Sequence, residues 1–158
     1  NSNATIDGDV GENNSTIFSQ SGMSDEAAMN VFEHFNVTEE KLTMENNMNA
    51  DMKSSIQLKG TKDKDGNVNS VTVGTIEVRV NVANRSDLMD NANNMINSFE
   101  HERGHIIDAK SNPKAYYYKK SPQRETHAIK YQRSTPTWNK TTPAYKASIQ
   151  LYYEQNNR

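Results

Sequence analysis

Hydrophobic positions are sparse along this chain and fall into short, separately phased runs. From Ser86 to Asp108 they recur with a helical period. With residues at 100° steps and Phe99 at zero, Leu88, Ala92, Met95, Ile96, Ile106 and Ile107 gather in one arc around Phe99. His101 and His105 lie nearly opposite, and Glu102 sits at the edge of the arc. One side of this helix is expected to face the core and the other to present the histidines. Ser86 suits an N-cap, and Asp87 and Asp90 suit the positive end of the helix dipole. Gly104 costs a helix about 1 kcal/mol relative to alanine, which suggests close approach of another backbone.

Further runs predict further elements. Ser121 as N-cap with Pro122 at the first helical position starts a second helix. Glu125, Ala128, Ile129 and Gln132 share one of its faces, and Thr135-Pro136 ends it. Thr142-Pro143 starts a third, with Tyr145, Ile149 and Tyr152 on one face, Leu151 beside them and Trp138 as an anchor in the connection. Near the other end, Ser24 caps a short helix with the stripe Ala28, Val31, Phe32 and Phe35, and His34 off that stripe. Residues 38–54 are charged, with Met44, Met48 and Met52 read as core packing. Residues 55–60 and 71–82 predict two strands joined by a turn at Asp65-Gly66. A calcium loop at Asp63, Asp65 and Asn67 lacks the rest of its pattern. In the second strand the alternation slips phase at Gly74, which predicts a bulge. Beyond it Ile76, Val78, Val80 and Val82 should point inward, with Glu77, Arg79 and Asn81 outward.

Composition narrows the picture. The 158 residues suit one domain over 23–158, preceded by a flexible or loosely packed segment over 1–22 whose main apolar pair is Ile17-Phe18. Hydrophobic content of 33% and a mean hydropathy of −0.96 predict a small core, with part of the chain mobile or extended. A net charge of −2 gives no electrostatic case for nucleic acid or an anionic membrane as partner. No apolar run approaches the roughly 18–20 residues of a membrane-spanning helix. Without cysteine there is neither a disulfide framework nor a thiolate metal site. Ser2-Asn3-Ala4 resembles a cloning remnant, which leaves room for an upstream signal or domain.

The chemistry lies at residues 101–105, His-Glu-Arg-Gly-His, an HExxH motif. Histidines at i and i+4 sit one turn apart on a single helix face and can share one Zn²⁺, with Glu102 as general base on a water activated there. A catalytic zinc needs a third protein ligand. Glu125 is the favoured candidate, because a carboxylate on an inward stripe needs a partner. The alternatives are a salt bridge from Glu125 to Arg or Lys on the preceding helix, a third ligand from Asp108 or His127, or no third ligand at all. Asp108 is better placed to hydrogen-bond a ligand or a substrate group, and His127 points about 200° away from Glu125. Tyr116, Tyr117, Tyr118 and His127 are candidate oxyanion stabilisers. The strand over Ile76, Glu77, Val78, Arg79 and Val80 runs almost directly into the motif helix. It is a candidate edge for holding an extended substrate, or else an ordinary strand covering the core.

With HExxH on one helix and a glutamate twenty residues on, residues 70–155 resemble a gluzincin-type zinc metallopeptidase. The longer string His-Glu-Arg-Gly-His-Ile-Ile-Asp, followed by Arg-Glu-Thr-His-Ala-Ile, is similar to small metallopeptidase domains at the C-termini of Rhs/YD-repeat and other polymorphic-toxin proteins. One departure is that larger gluzincins often carry an Asp four residues after the glutamate ligand, where this chain has Ile129. Asp108 is expected to substitute. The metzincin pattern does not fit, because its glycine and third histidine would fall at Asp108 and Ser111.

The resemblance implies an α+β fold, with a small antiparallel sheet or hairpin packed on a helical core that carries both ligand helices. It implies hydrolysis of peptide or protein substrates with Zn²⁺ as cofactor, and a secreted or cell-surface setting within a larger protein. A zinc amidase acting on a non-protein amide would use the same ligands. A non-catalytic zinc-containing binding module is the remaining reading, against which the intact Glu102 argues.

Overall fold

The computed structural model describes residues 22–37, 41–45, 48–81 and 85–158. It is an α+β arrangement of five α-helices and one three-stranded sheet. The expectations for residues 1–21 and for Val82 lie outside the described residues.

Helix α1 (Asp25–His34) starts where predicted. Ser24 Oγ accepts from Ala27 N at 3.1 Å, and Ala28 and Phe32 are buried. His34 is exposed. Strand β1 (Leu42–Glu45) follows, then β2 (Met52–Lys62) and β3 (Val68–Asn81). The β2–β3 turn is built as the sequence suggests: Gly66 takes φ +83°, and the Asp63 carboxylate accepts from the backbone of Asp65 and Asn67, both at 2.9 Å. The predicted bulge is present. Ile56 pairs with Ile76 but Leu58 pairs with Val73, so β3 carries an extra residue opposite Gln57. A side chain at Gly74 would run into Gln57, whose Oε1 accepts from Thr75 N and Oγ1, both at 3.2 Å.

The strand order is β1-β3-β2, with β3 antiparallel to β2 and parallel to β1. The sheet is therefore mixed rather than purely antiparallel. β1 leaves little trace in the sequence, because four residues, Leu-Thr-Met-Glu, show barely one alternation. Val78 and Val80 face the core as expected, with Met52 beside them. Asn81 does not point to solvent. It is fully buried and donates to the carbonyls of Met48 (3.2 Å) and Ala50 (2.8 Å), closing the base of the sheet.

The central helix α2 (Ala92–Ser111) begins later than its sequence suggests. Ser86 precedes a 3-10 turn over Asp87–Asp90, and Asn91 is the true N-cap, accepting from Asn94 N at 3.0 Å. Ser86 instead bonds Asp51 through both N (2.6 Å) and Oγ (2.9 Å). Residues Pro113–Tyr118 form a short helix α3, with Asn112 capping Ala115 N at 3.1 Å and Pro113 in the first turn. Helix α4 (Ser121–Ser134) starts one residue after its N-cap, Lys120, and a 3-10 turn (Pro136–Lys140) leads to α5 (Pro143–Asn156).

Helix α2 is enclosed on nearly every side. Its apolar arc packs on the sheet and α1, including an edge-on contact between Phe99 and Phe32 at 5.8 Å. Ile107, at the edge of that arc by its phase, is 41% exposed, and Leu151 of α5 is exposed as well. The opposite arc holds Asn94, Asn97, Ser98, His101, Gly104, His105, Asp108 and Ala109, and it is buried too, against α4 and the turn after it. Gly104 allows that contact: a Cβ there would stand 3.1 Å from Ala128 Cα and 3.3 Å from Ala128 O.

Burial pushes the Asp51 carboxyl up from 3.8 to about 7, against the hydrogen bonds from Ser86 and the charge of Arg85 that favour ionisation. A carboxyl whose pKa rises on folding favours the folded state while protonated and loses that contribution as pH climbs from about 4 through 7. Asp51→Asn should therefore gain thermal stability relative to the parent between pH 5 and pH 8. Melting temperatures of the two proteins across that range check this, and a constant difference would contradict it.

Candidate metal centre

Three candidate ligand side chains converge where α2 crosses α4. His101 Nε2 lies 3.0 Å from Glu125 Oε1, and His105 Nε2 lies 3.2 Å from Glu125 Oε2. All three side chains are at most 2% exposed, and their ligand atoms lie within 4.8 Å of one another, as a shared metal ion requires. No lysine or arginine among the described residues pairs with Glu125, so the salt-bridge alternative does not hold.

The tautomer of His101 is fixed from behind. Its Nδ1 lies 2.6 Å from Gln132 Oε1. Gln132 Nε2 donates to Asn97 Oδ1 (2.9 Å) and to the Tyr145 hydroxyl (3.1 Å), so Oε1 is the atom turned toward the ring. Nδ1 then carries the proton, and the Nε2 lone pair faces the Glu125 carboxylate. A lone pair and a carboxylate oxygen at 3.0 Å repel unless a proton or a cation lies between them. The donor set of two imidazoles and one carboxylate thus fits a divalent metal, and no fourth His, Asp or Glu joins the cluster among the described residues.

The support extends further. The Tyr145 hydroxyl also bonds Ser98 Oγ and Asn97 Oδ1, both at 3.1 Å. Burial pushes that hydroxyl well above its usual range, so it stays protonated. Asn97 Nδ2 donates to Gln132 O, Thr135 Oγ1 and Thr137 Oγ1. The sequence shows Gln132 on the same face as Glu125 but gives no sign that it holds a histidine.

Glu102 is fully buried and faces the sheet, where its Oε1 accepts from Ser54 N at 2.7 Å. That amide points away from β3, along the outer edge of β2. Beside it a cleft of about 280 Å³ is lined by Ser54, Ile56, Leu58, Tyr116, Ser121, Arg124 and Glu125.

The other sequence candidates are placed differently. Ile76, Glu77, Val78, Arg79 and Val80 belong to the central strand. β2 pairs with 76–80 on one side and β1 with 78–80 on the other, so no added strand can pair over 78–80. The edge beside the metal cluster is that of β2. Asp108 does not stand behind His101 or His105; its carboxylate accepts from Lys119 Nζ at 2.8 and 3.0 Å, tying the end of α2 to the α3–α4 link. His127 is about half exposed, with Nε2 3.9 Å from Asp108 Oδ1, outside the cluster. Of the three tyrosines, Tyr116 is buried and lines the metal cleft. Tyr117 borders a separate cavity of about 150 Å³ against the β2–β3 hairpin, and the Tyr118 hydroxyl accepts from Val68 N at 3.3 Å.

The profile of the family described as metallopeptidase toxin 2 matches residues 10–158, and the chain belongs to that family. Comparison with curated proteins and with solved structures gives no match.

Replacing Gln132 by Leu removes the partner of His101 Nδ1 at similar volume. Metal affinity should fall about 10–100-fold, measured by competition with a chelator. An unchanged affinity would mean that this hydrogen bond does not orient the ligand.

Proposed function

We propose that this member of the metallopeptidase toxin 2 family hydrolyses peptide bonds with Zn²⁺ held by His101, His105 and Glu125, and with Glu102 as general base. The observation that carries the reading is the convergence of both imidazole Nε2 atoms on the two oxygens of one buried carboxylate. Two nitrogens and one carboxylate, with a position left open, match a catalytic zinc better than a closed structural one. Bound there, the ion supplies a Lewis acid that polarises the scissile carbonyl and acidifies a water.

The chain's own groups supply the rest. Ser54 N–H fixes Glu102 through Oε1, which orients the carboxylate to take a proton from the attacking water and pass it to the leaving amine. The substrate lies extended along the β2 edge at Ile56 and Leu58, beyond the Ser54 amide that Glu102 occupies, held by main-chain hydrogen bonds. Tyr116 lines the same cleft and is our candidate to stabilise the developing oxyanion through its hydroxyl. The toxin family points to a protein of a target cell as substrate and to delivery outside the producing cell as part of a larger protein. Among the described residues no helix is long and apolar enough to cross a membrane.

Elemental analysis of protein purified without added metal or chelator tests the ion, with about one zinc per chain expected and none in His101→Ala. Glu102→Gln should keep the zinc and lose hydrolysis by about 10²–10⁴-fold on a peptide library. An active, zinc-loaded Gln variant would remove Glu102 from the mechanism. Hydrolysis of non-peptide amides alone would favour an amidase.

A further inference from the structure

We propose that Arg124 selects the substrate, its guanidinium anchoring a carboxylate of the peptide bound in the metal cleft. The inference rests on the peptidase reading for what occupies that cleft.

Arg124 and Glu125 are neighbours in sequence at the start of α4, and both line the cleft. Glu125 is engaged with the two histidines, which leaves Arg124 as the other charged side chain among the lining residues. Its head is fixed in place. Nε donates to Tyr116 O at 3.1 Å, and Nη2 donates to Tyr116 O at 2.6 Å and Tyr117 O at 3.3 Å. The guanidinium carbon lies 4.1 Å from the centre of the Tyr116 ring. These partners are neutral. Arg79, Arg85 and Arg103 each pair with a carboxylate, but no carboxylate among the described residues pairs with Arg124.

The bonds to Tyr116 and Tyr117 close the end of α3, a task that a neutral donor could perform. They do not use Nη1, which donates to no described residue. A cation that is partly exposed, pre-ordered and uncompensated at the wall of a cleft is a carboxylate-binding element, because little side-chain entropy remains to be lost on binding. The carboxylate could come from the C-terminal end of a peptide or from an acidic side chain within it.

The test uses the zinc-loaded Glu102→Gln protein, so that binding is read without turnover. Three hexapeptides of alanine, leucine and phenylalanine are titrated by calorimetry: one neutral with a C-terminal amide, one with a free C-terminus, and one amidated with a single internal glutamate. At least one carboxylate-bearing peptide should bind about tenfold more tightly than the neutral one. The advantage should shrink as salt is raised. Gain by the free C-terminus alone identifies a chain-end anchor; gain by the glutamate peptide alone identifies a side-chain pocket. Adding Arg124→Gln should bring all three to equal affinity, while Arg124→Lys should keep part of the difference.

Equal affinities before Arg124 is changed would overturn the proposal, as would a preference that survives Arg124→Gln or a failure of all three to bind. The salt series decides the matter if the Gln variant does not fold. Discrimination in binding, with no hydrolysis of any of the three by the parent protein, would leave the anchor standing and remove the peptidase reading.

Discussion

A carboxylate held dry between two imidazoles is the constraint around which this molecule is arranged. Glu125 is 1% exposed, so leaving it ionised and uncompensated would cost several kcal/mol. Among the described residues only His101 and His105 meet it, and a cation shared by the three would supply the compensation. That arrangement needs α2 and α4 close enough for short side chains to meet, and the helices approach where Gly104 faces Ala128. A larger residue at Gly104 would spread the helices and the ligands with them. The helical cost of this glycine is thus offset at the candidate metal centre, on the opposite side of α2 from the hydrophobic core.

The same constraint explains why so much of the interior is polar. His101 must present Nε2, so its Nδ1 needs an acceptor, which Gln132 provides. Gln132 then needs acceptors for its own amide, which are Asn97 and the Tyr145 hydroxyl. Tyr145 belongs to α5, so the orientation of a ligand on α2 depends on the docking of the C-terminal helix. Buried networks of this kind hold one geometry when fully satisfied and are costly when broken. The three candidate ligands are therefore pre-organised by the fold, and a metal bound between them would in turn stabilise the packing of α2, α4 and α5.

The sequence reveals the parts of the site that local spacing encodes. His101, Glu102 and His105 are legible from the i, i+4 rule, and Glu125 from an acidic residue on an otherwise apolar stripe. Gln132 is visible on that stripe, but a glutamine at i+7 resembles any tolerated polar residue until the tautomer of His101 is known. Asp108 misleads because it stands one turn past His105 and looks like its natural partner, whereas Lys119 claims it across a tertiary contact. The strands fail in a similar way. The hairpin and its bulge are local and can be read, but whether β2 or β3 forms the outer edge depends on the four residues of β1 and on their parallel pairing with β3. An edge assigned from proximity to the motif helix therefore falls on the central strand, which is paired on both sides over Val78–Val80.

The low hydrophobic content takes on a different meaning in this light. Read alone, 33% suggests a core too small for the chain. Yet Asn94, Asn97, Ser98, His101, Glu102, His105, Glu125 and Gln132 are all buried, and they occupy volume that aliphatic residues fill in an ordinary α+β domain. Their burial gives less hydrophobic stabilisation per residue, since hydrogen bonds exchanged with water contribute only about 1 kcal/mol each. What they give instead is direction: each polar group in the α2–α4 interface fixes the next, from Tyr145 through Gln132 to the ring of His101. Replacing that interface with leucine and alanine could yield a more stable protein, but one in which nothing would hold Nε2 of His101 on Glu125.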